Sequence, residues 1–313
     1  MKAENGTFNH VTSPDILSSR AGAVVGLGNF DGLHLGHMSL IYSLLRVAQE
    51  KKTASLLYTF REHPSFVLNA QKVRLLTDNV QKLRIVENTG IDSVYFDEFD
   101  LAYSKMTPEE FIREILIGKL SVRYVIAGYD FRFGCGASGT SGDLKDLGKK
   151  FGLDVGVIDP YLVNGEVVSS TLIRKRIETG DVESASYLLG RLYSLRGEVV
   201  AGNKIGREIG IPTANIKPGA NVVIPGKGVY ITSVRAGDLL YRGLTNIGNS
   251  PTFGVTDAFT IETHILGFSG DLYGKEIEVF MHKKLRDEIA FLGREQLKSE
   301  ILEDITKAVD FFQ

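Results

Sequence analysis

The sequence predicts two domains of different class: an α/β unit built on a parallel sheet, then a small antiparallel β-barrel closed by a single helix. Apolar strand-like runs alternate with helical periodicity up to about position 160. From Leu192 onward strand patterns follow one another with no helix between them. A length of 313 residues also suits about two domains.

In the first half the expected strands are Ala23–Gly28, Ala54–Phe60, Ser93–Phe96, Tyr124–Ala127 and Val155–Ile158. Between them lies Met38–Lys51, where Leu40, Ile41, Leu44, Leu45, Val47 and Ala48 recur at helical spacing, followed by Asp78–Asn88, Pro108–Ile117 and Asp143–Lys150. Thr107, Pro108 and Glu110 supply an N-cap, a first-turn proline and a capping-box partner. Such alternation implies helices covering a parallel sheet, with ligands at the carboxyl ends of its strands.

Near position 160 the rhythm changes. Asn164-Gly165 reads as a tight hairpin, and Gly180 separates short helices over Ser170–Glu178 and Asp181–Leu189. The barrel strands are expected at Tyr193–Val200, Val222–Ile224, Val229–Arg235, Leu239–Leu244, Phe259–Leu266 and Ile277–Met281, with a turn at Gly237-Asp238. One amphipathic helix, Arg294–Phe311, closes the chain. The change of class near Ser186–Arg191 sets the expected domains at 1–186 and 187–313.

Hydrophobic residues make up 43% of the chain and charged residues 24%, enough for real cores in an ordinary soluble protein. Lys+Arg (36) nearly balances Asp+Glu (38), so no basic field recruits nucleic acid and no polybasic stretch recruits an anionic membrane. Small molecules are the expected partners; self-association stays open. Cys135 is the only cysteine, which rules out an internal disulfide and fits a reducing compartment. No apolar run approaches a membrane span, and Met1 to Ser13 lacks the apolar core of a signal peptide, so a cytoplasmic location is expected.

The most informative segment is Gly28-Asn29-Phe30-Asp31-Gly32-Leu33-His34-Leu35-Gly36-His37, a glycine-rich turn between strand and helix. A helix start carries unpaired N–H groups and a positive dipole end that attract phosphate. Imidazoles donate hydrogen bonds to phosphate without a metal, so His34 and His37 point to a site where nucleotide phosphates react; plain capping is the other role open to them. The segment is not a Rossmann fingerprint, since Asp31 stands where the third glycine belongs, and no P-loop pattern occurs anywhere in the chain.

Further candidates follow the other strands. His63 lies in Thr59-Phe60-Arg61-Glu62-His63-Pro64. Gly128-Tyr129-Asp130-Phe131-Arg132-Phe133-Gly134 offers aromatic surface beside a phosphate-pairing cation. Gly134-x-Gly136-x-x-Gly139 matches the dinucleotide pattern, but polar and aromatic residues separate it from its strand. Ser169-Ser170-Thr171-Leu172-Ile173-Arg174 opens a helix with three hydroxyls and an arginine one turn in.

In the second half Gly197, Gly202 and Gly206-Arg207 lead into Gly210-Ile211-Pro212-Thr213-Ala214-Asn215. In an extended segment Thr213 and Asn215 face one side. Their hydroxyl and amide oxygens are hard ligands that suit Mg²⁺ shared with phosphates, although a plain turn also accounts for the motif. The stretch from Asn246 to Phe253 reads as a loop, and Glu262 sits in the alternating strand Phe259–Leu266, where a carboxylate commonly faces solvent.

The segments beginning at Gly28, Gly128 and Ser169 together resemble the three signatures of the adenylyltransferase module of bacterial bifunctional FAD synthetases. The histidine pair alone marks the wider nucleotidylyltransferase superfamily; Asp130-Phe131-Arg132-Phe133-Gly134 narrows it to the flavin branch. The glycine-rich entry, Pro212-Thr213-Ala214-Asn215, Gly228-Val229-Tyr230 and Glu262-Thr263-His264 resemble the riboflavin kinases, in family order. The likeness runs from about Ala23 to Phe312. Glu62 replaces a proline usual in the family, and Asn249-Ser250 replaces a basic residue and proline.

The resemblance implies a Rossmann-like nucleotidylyltransferase domain over 1–186 and a riboflavin kinase-like barrel over 187–313. It implies ATP-dependent conversion of riboflavin to FMN in the barrel and of FMN to FAD, with release of pyrophosphate, in the first domain. Glu262 is then the base for the riboflavin hydroxyl, Thr213 and Asn215 hold Mg²⁺, and Gly202 and Gly206 cradle phosphates. His34 and His37 stabilise the transferring phosphate; Gly28, Phe30, Asp31, Gly36, Ser170, Thr171 and Arg174 bind ATP or its phosphates; His63, Asp130, Phe131 and Arg132 bind flavin. Two other classes stay open: a nicotinamide-dependent oxidoreductase using Gly134–Gly139, and a flavin-binding regulatory protein without turnover.

Overall fold

The computed structural model describes residues 9–11, 22–68, 73–202, 205–249, 259–291 and 293–313. The chain divides into two compact units, Met1–Ser170 and Thr171–Gln313.

The first unit contains β1 (Asn9–Val11), β2 (Val24–Leu27), α1 (Leu35–Lys51), β3 (Ser55–Phe60), α2 (Asn79–Glu87), β4 (Ser93–Asp97), α3 (Pro108–Glu110), β5 (Tyr124–Gly128), α4 (Ser141–Phe151) and β6 (Asp154–Ile158). A two-stranded hairpin, β7 (Leu162–Val163) and β8 (Glu166–Val167), follows. The six-stranded sheet has the order β1-β4-β3-β2-β5-β6, with every described pair parallel. Leaving β1 aside, strand order reverses between β2 and β5, and at such a switch point the carboxyl ends open a crevice. The turn after Gly28 and the turn after Gly128 both leave the sheet there. All residues of β2 and β4 are buried, because helices cover both faces. On one face Val24, Leu57, Val94 and Ile126 pack under Leu40, Ile41 and Leu44 of α1. On the other, Val25, Leu56 and Val125 meet Phe111, Ile112 and Leu116.

Thr107 and Glu110 form the expected capping box, and Pro108 opens α3. The helix then continues as a π-helix over Phe111–Lys119, in which Leu120 N–H reaches back five residues to the Ile115 carbonyl. β1 lies in the polar N-terminal stretch for which no element was expected.

The second unit contains α5 (Ser170–Glu178), α6 (Val182–Leu189), β9 (Tyr193–Val200), α7 (Ile205–Glu208), β10 (Ala214–Pro218), β11 (Gly228–Ala236), β12 (Leu239–Asn249), β13 (Phe259–Ile265), β14 (Glu276–Arg286) and α8 (Arg294–Phe311). Six antiparallel strands close a barrel in the order β10-β13-β12-β11-β14-β9. The compact units part at Ser170 rather than near 186, because α6 packs on β9 and β14 and Ile177 accepts a hydrogen bond from Gly226 N–H. Buried Thr232, Thr245 and Thr263 link their hydroxyls at 3.0 and 2.9 Å on one face of the strands. On the opposite face Val229, Ile231 and Leu244 pack against Ala308 of α8.

Two expectations are corrected. Residues 222–224 form no strand: Asn221 is left-handed (φ 62°) and Pro225 lacks an N–H, so this segment is irregular chain with Val222 and Val223 sunk in the core. Its place in the barrel is taken by β10, whose start carries the Thr213–Asn215 motif. Asn246–Asn249, read as loop, instead ends β12, which pairs with β13 up to Asn249 opposite Phe259. Residues 250–253 lie outside the described residues.

Helix α8 is tied to the barrel by Arg286, which donates from Nε and an Nη to the buried Asp304 carboxylate at 3.0 and 2.7 Å. Removing one partner strands a buried charge. Asp304→Ala is expected to cost about 3 kcal/mol, read as a lower urea midpoint for the second unit with unchanged slope.

Candidate active sites

In the first unit the turn after β2 is built under strain. Phe30 (φ 48°), Gly32 (φ 81°) and Leu33 (φ 41°) are all left-handed. Each non-glycine residue there costs about 1–3 kcal/mol unless its surroundings fix it. Here they do. The Asp31 carboxylate, 4% exposed, accepts from Leu76 N–H at 2.8 Å and Thr77 N–H at 3.3 Å, and Gly32 N–H donates to Thr77 Oγ1 at 3.1 Å. A Cβ at Gly32 would stand 2.6 Å from Leu76 Cδ1, so only glycine fits. The Asn29 carbonyl accepts from Thr59 Oγ1 at 3.1 Å and from Lys82 Nζ at 2.8 Å.

This turn delivers His34 to the N-cap of α1, where its Nδ1 accepts from His37 N–H at 3.3 Å. The two imidazoles stack with centroids 3.7 Å apart, and Phe30 meets His37 edge-on at 5.3 Å. His34 is therefore both a cap and part of a paired-imidazole surface beside the helix's own N–H groups; Gly36 lies in the first helical turn and Gly28 ends the strand side of the turn. Phe30 has no exposed surface, and its ring packs against Gly28, so it serves the turn by packing beneath it. Asp31 is likewise committed to pinning the turn. Ser170 Oγ donates to the Asp31 carbonyl at 2.9 Å. Thr171, exposed, and Arg174, half-buried, follow on α5.

The flavin candidates lie in the loops after β3 and β5. His63 caps the short turn Pro64–Phe66, its Nδ1 2.8 Å from Ser65 Oγ. Phe131 stacks on Phe133 at 5.7 Å, while Asp130 and Arg132 are exposed. Beneath them Tyr58 donates to Asp97 at 2.5 Å and lies 2.8 Å from the Tyr103 hydroxyl; Lys119 Nζ donates to Asp97 at 2.7 Å. Burial pushes both tyrosine hydroxyls well above their ordinary range, so they stay protonated. Two of the glycines in Gly134–Gly139 serve packing: a Cβ at Gly134 would strike Pro108, and one at Gly139 the Phe133 ring, whereas Gly136 has open space and a left-handed backbone (φ 61°).

In the barrel, Asn215 on β10 stands directly opposite Glu262 on β13, and Glu262 directly opposite Asn246 on β12. Directly opposed residues share a face, so Asn215, Glu262 and Asn246 form a polar row across three strands. Thr213 Oγ1 donates to Glu262 Oε2 at 3.4 Å. A cavity of about 330 Å³ lies beside Thr213 and Asn215, lined also by Gly202, Arg207, Asp271 and Tyr273, a volume in the range of small-molecule sites; Glu262 and Asn246 are not among its lining residues. A Cβ at Gly202 would lie 2.1 Å from Asn215 Nδ2, so glycine leaves the room in which that amide sits. Gly206 backs on the Ile211 carbonyl in the same way, at 2.4 Å from a would-be Cβ.

Two families match in the order of these sites: FAD synthetase over residues 17–172 and riboflavin kinase over residues 189–312. A bifunctional riboflavin kinase/FMN adenylyltransferase of Buchnera aphidicola (Acyrthosiphon pisum symbiont) is 36% identical over 95% of this chain and 96% of its own. The Bacillus subtilis protein of that description is 34% identical over 97% of each. The chain belongs to the bifunctional riboflavin kinase/FMN adenylyltransferase family. A solved structure described as a macrolide-efflux protein from Streptococcus pneumoniae, 29% identical, matches with TM-score 0.85 over 96% of this chain and 97% of that one. Among the described residues of this family member no helix is long and apolar enough to cross a membrane.

Sequence reasoning missed Lys82, Asn246 and the cavity wall from Phe268 to Tyr273. Period-two alternation through Leu244, Asn246 and Gly248 was the available signal for Asn246. Nothing local marks Lys82. The capping geometry separates two roles of His34. His34→Ala is expected to destabilise the first unit by about 1 kcal/mol, and His34→Asn, a good N-cap, to restore most of it; thermal melting checks both.

Proposed function

We infer that the chain makes FAD from riboflavin in two steps: riboflavin plus ATP gives FMN plus ADP, and FMN plus ATP gives FAD plus pyrophosphate. The observation that carries this is likeness along nearly the whole chain to relatives of that double description, with both family matches in the same order. We assign the adenylyl transfer to residues 1–186 and the phosphorylation to 187–313.

In the kinase site Glu262 takes the proton from the riboflavin 5′-hydroxyl as it attacks the γ-phosphorus of ATP. The hydrogen bond from Thr213 orients the Glu262 carboxylate, and the register with Asn215 and Asn246 fixes where its strand presents it. Thr213 and Asn215 offer hard oxygen donors on one side of the chain, with room left at Gly202, and so fit Mg²⁺. No group of three or more His, Cys, Asp or Glu among the described residues could hold a metal by itself, which suits an ion that arrives with nucleotide phosphates. When bound it neutralises charge on the transferring phosphoryl group. Backbone around Gly202 and Gly206 cradles the remaining phosphate oxygens.

In the adenylylation site the FMN phosphate attacks the α-phosphorus of ATP. A phosphate monoester dianion is already nucleophilic, so the protein's task is to stabilise charge on the five-coordinate phosphorus and on the leaving pyrophosphate. His34, His37 and the amides at the start of α1, Gly36 among them, supply donors for this. Gly28 and the backbone of Phe30 and Asp31 shape the turn against the nucleotide. Ser170 holds phosphate oxygens beside that turn, and Thr171 and Arg174 take the same role by family likeness. His63, Asp130, Phe131 and Arg132 contribute to the flavin side.

Chromatography of products after incubation with riboflavin, ATP and Mg²⁺ tests the reading: FMN and then FAD are expected, and absence of both overturns it. Glu262→Gln keeps size but removes the proton acceptor; FMN formation should fall by about 10²–10⁴ while supplied FMN is still converted to FAD. His37→Ala should lower FMN-to-FAD conversion by about 10²–10³ and leave riboflavin phosphorylation near the parent rate.

A further inference from the structure

His264 closes the Glu262-Thr263-His264 motif, and the reactions above give it no part. It sits two residues after Glu262 on β13, so the two side chains share a face. Its Nδ1 lies 2.8 Å from the Pro212 carbonyl. A carbonyl oxygen only accepts, so Nδ1 carries the hydrogen and donates, whether the ring is neutral or charged. Pro212, Thr213, Asn215 and Thr263 line the cavity of about 330 Å³, and His264 does not. The imidazole therefore acts on the chain that forms the cavity wall, from outside the cavity.

The two oxygen donors offered to Mg²⁺ are held unequally. Asn215 lies inside the sheet, paired with Val200 of β9 on one side and Glu262 of β13 on the other. Ladder pairing on β10 begins at Ala214, so Thr213 stands one residue outside it. Upstream, Ile211 N–H turns back to the Gly206 carbonyl at 2.7 Å, and Pro212 has no N–H to give a neighbouring strand. The bond from His264 takes over where the ladder ends: continuing the register of Ala214 with Thr263 puts Thr213 level with His264. Thr213 Oγ1 also reaches Glu262 Oε2, at a longer 3.4 Å. We propose that His264 is a positioning residue for riboflavin phosphorylation, anchoring the Pro212–Thr213 peptide so that the Thr213 hydroxyl keeps its spacing from the Asn215 amide oxygen around Mg²⁺. The proposal rests on the reading of the barrel as the riboflavin kinase. Partners that orient metal ligands from behind commonly contribute about 10–100-fold in metal affinity.

The test compares the full-length parent with His264→Leu and His264→Asn. The two replacements share one shape, but the Asn amide can give a hydrogen to the Pro212 carbonyl and the Leu side chain cannot. Mn²⁺ binding in the presence of ADP, read by electron paramagnetic resonance, reports the site without turnover. Parent and variants share the first unit, so a difference between them belongs to the barrel. His264→Leu is expected to weaken Mn²⁺ binding about tenfold and to raise the Mg²⁺ needed for half-maximal FMN formation in step. Its rate should recover at high Mg²⁺, with the KM for riboflavin shifting less than about twofold. His264→Asn should recover most of both losses. FAD formation from supplied FMN should keep its Mg²⁺ dependence in both variants. Folded His264→Leu with parent Mn²⁺ affinity and Mg²⁺ dependence overturns the proposal, even if it melts lower, since the bond then serves stability alone. His264→Asn as weak as His264→Leu overturns it too. Should His264→Leu fail to fold, His264→Asn decides: Mn²⁺ affinity near the parent's supports the proposal, and a loss of about tenfold overturns it. A parent protein that makes no FMN from riboflavin and ATP overturns the kinase reading itself.

Discussion

The pinning of one strained turn sets the geometry of the first unit's candidate site. The left-handed Phe30 and Leu33 are unfavourable in isolation, and they persist because Asp31 takes two amides from the segment at Leu76–Thr77 while Lys82 and Thr59 take the Asn29 carbonyl. A longer or freer connection would still join β2 to α1, but His34 would not then fall on the N-cap with its ring stacked on His37. The sheet supplies the place: the turn leaves at the strand-order reversal, where the two neighbouring connections diverge to opposite faces and leave a crevice.

In the second unit the equivalent constraint is strand register. Glu262 acquires its neighbours because β13 is sandwiched between β10 and β12, with Asn215 on one side and Asn246 on the other. A slip of one residue would turn the carboxylate to the opposite face, in place of the buried Thr263. The threonine hydroxyl chain opposes such a slip, since Thr232, Thr245 and Thr263 satisfy one another only in this alignment. Closing the barrel removes free edges, so register, hydrogen bonding and site geometry are fixed together.

In both proposed sites the groups assigned to phosphate are backbone and neutral donors more than clustered charge. This agrees with a chain whose acidic and basic residues nearly balance. Phosphoryl and adenylyl transfer ask for placed donors and charge neutralisation during reaction, and a rigid turn at a helix start provides donors that need no reorganisation. Buried charge, as at Asp31, Lys82 and the Arg286–Asp304 pair, acts on the scaffold: the first two hold the turn after β2, the last holds a helix to its barrel.

The sequence by itself determined the class of each half, the central strands, the Thr107 capping box and the motifs carrying His34, His37, Thr213, Asn215 and Glu262. These signals are local: periodicity, turn chemistry and residue types at fixed spacing act over a few neighbours. Only the tertiary structure decided that Asn215, Glu262 and Asn246 share a face, that Phe30 and Asp31 serve the turn through burial, that residues 222–224 are irregular and that Lys82 sits under the phosphate turn. Lys82 and Asn29 are 53 residues apart, and such a contact leaves no mark in composition or period. It is set by how α2 packs against the sheet, where the free energy of burial, and not local propensity, chooses the partner.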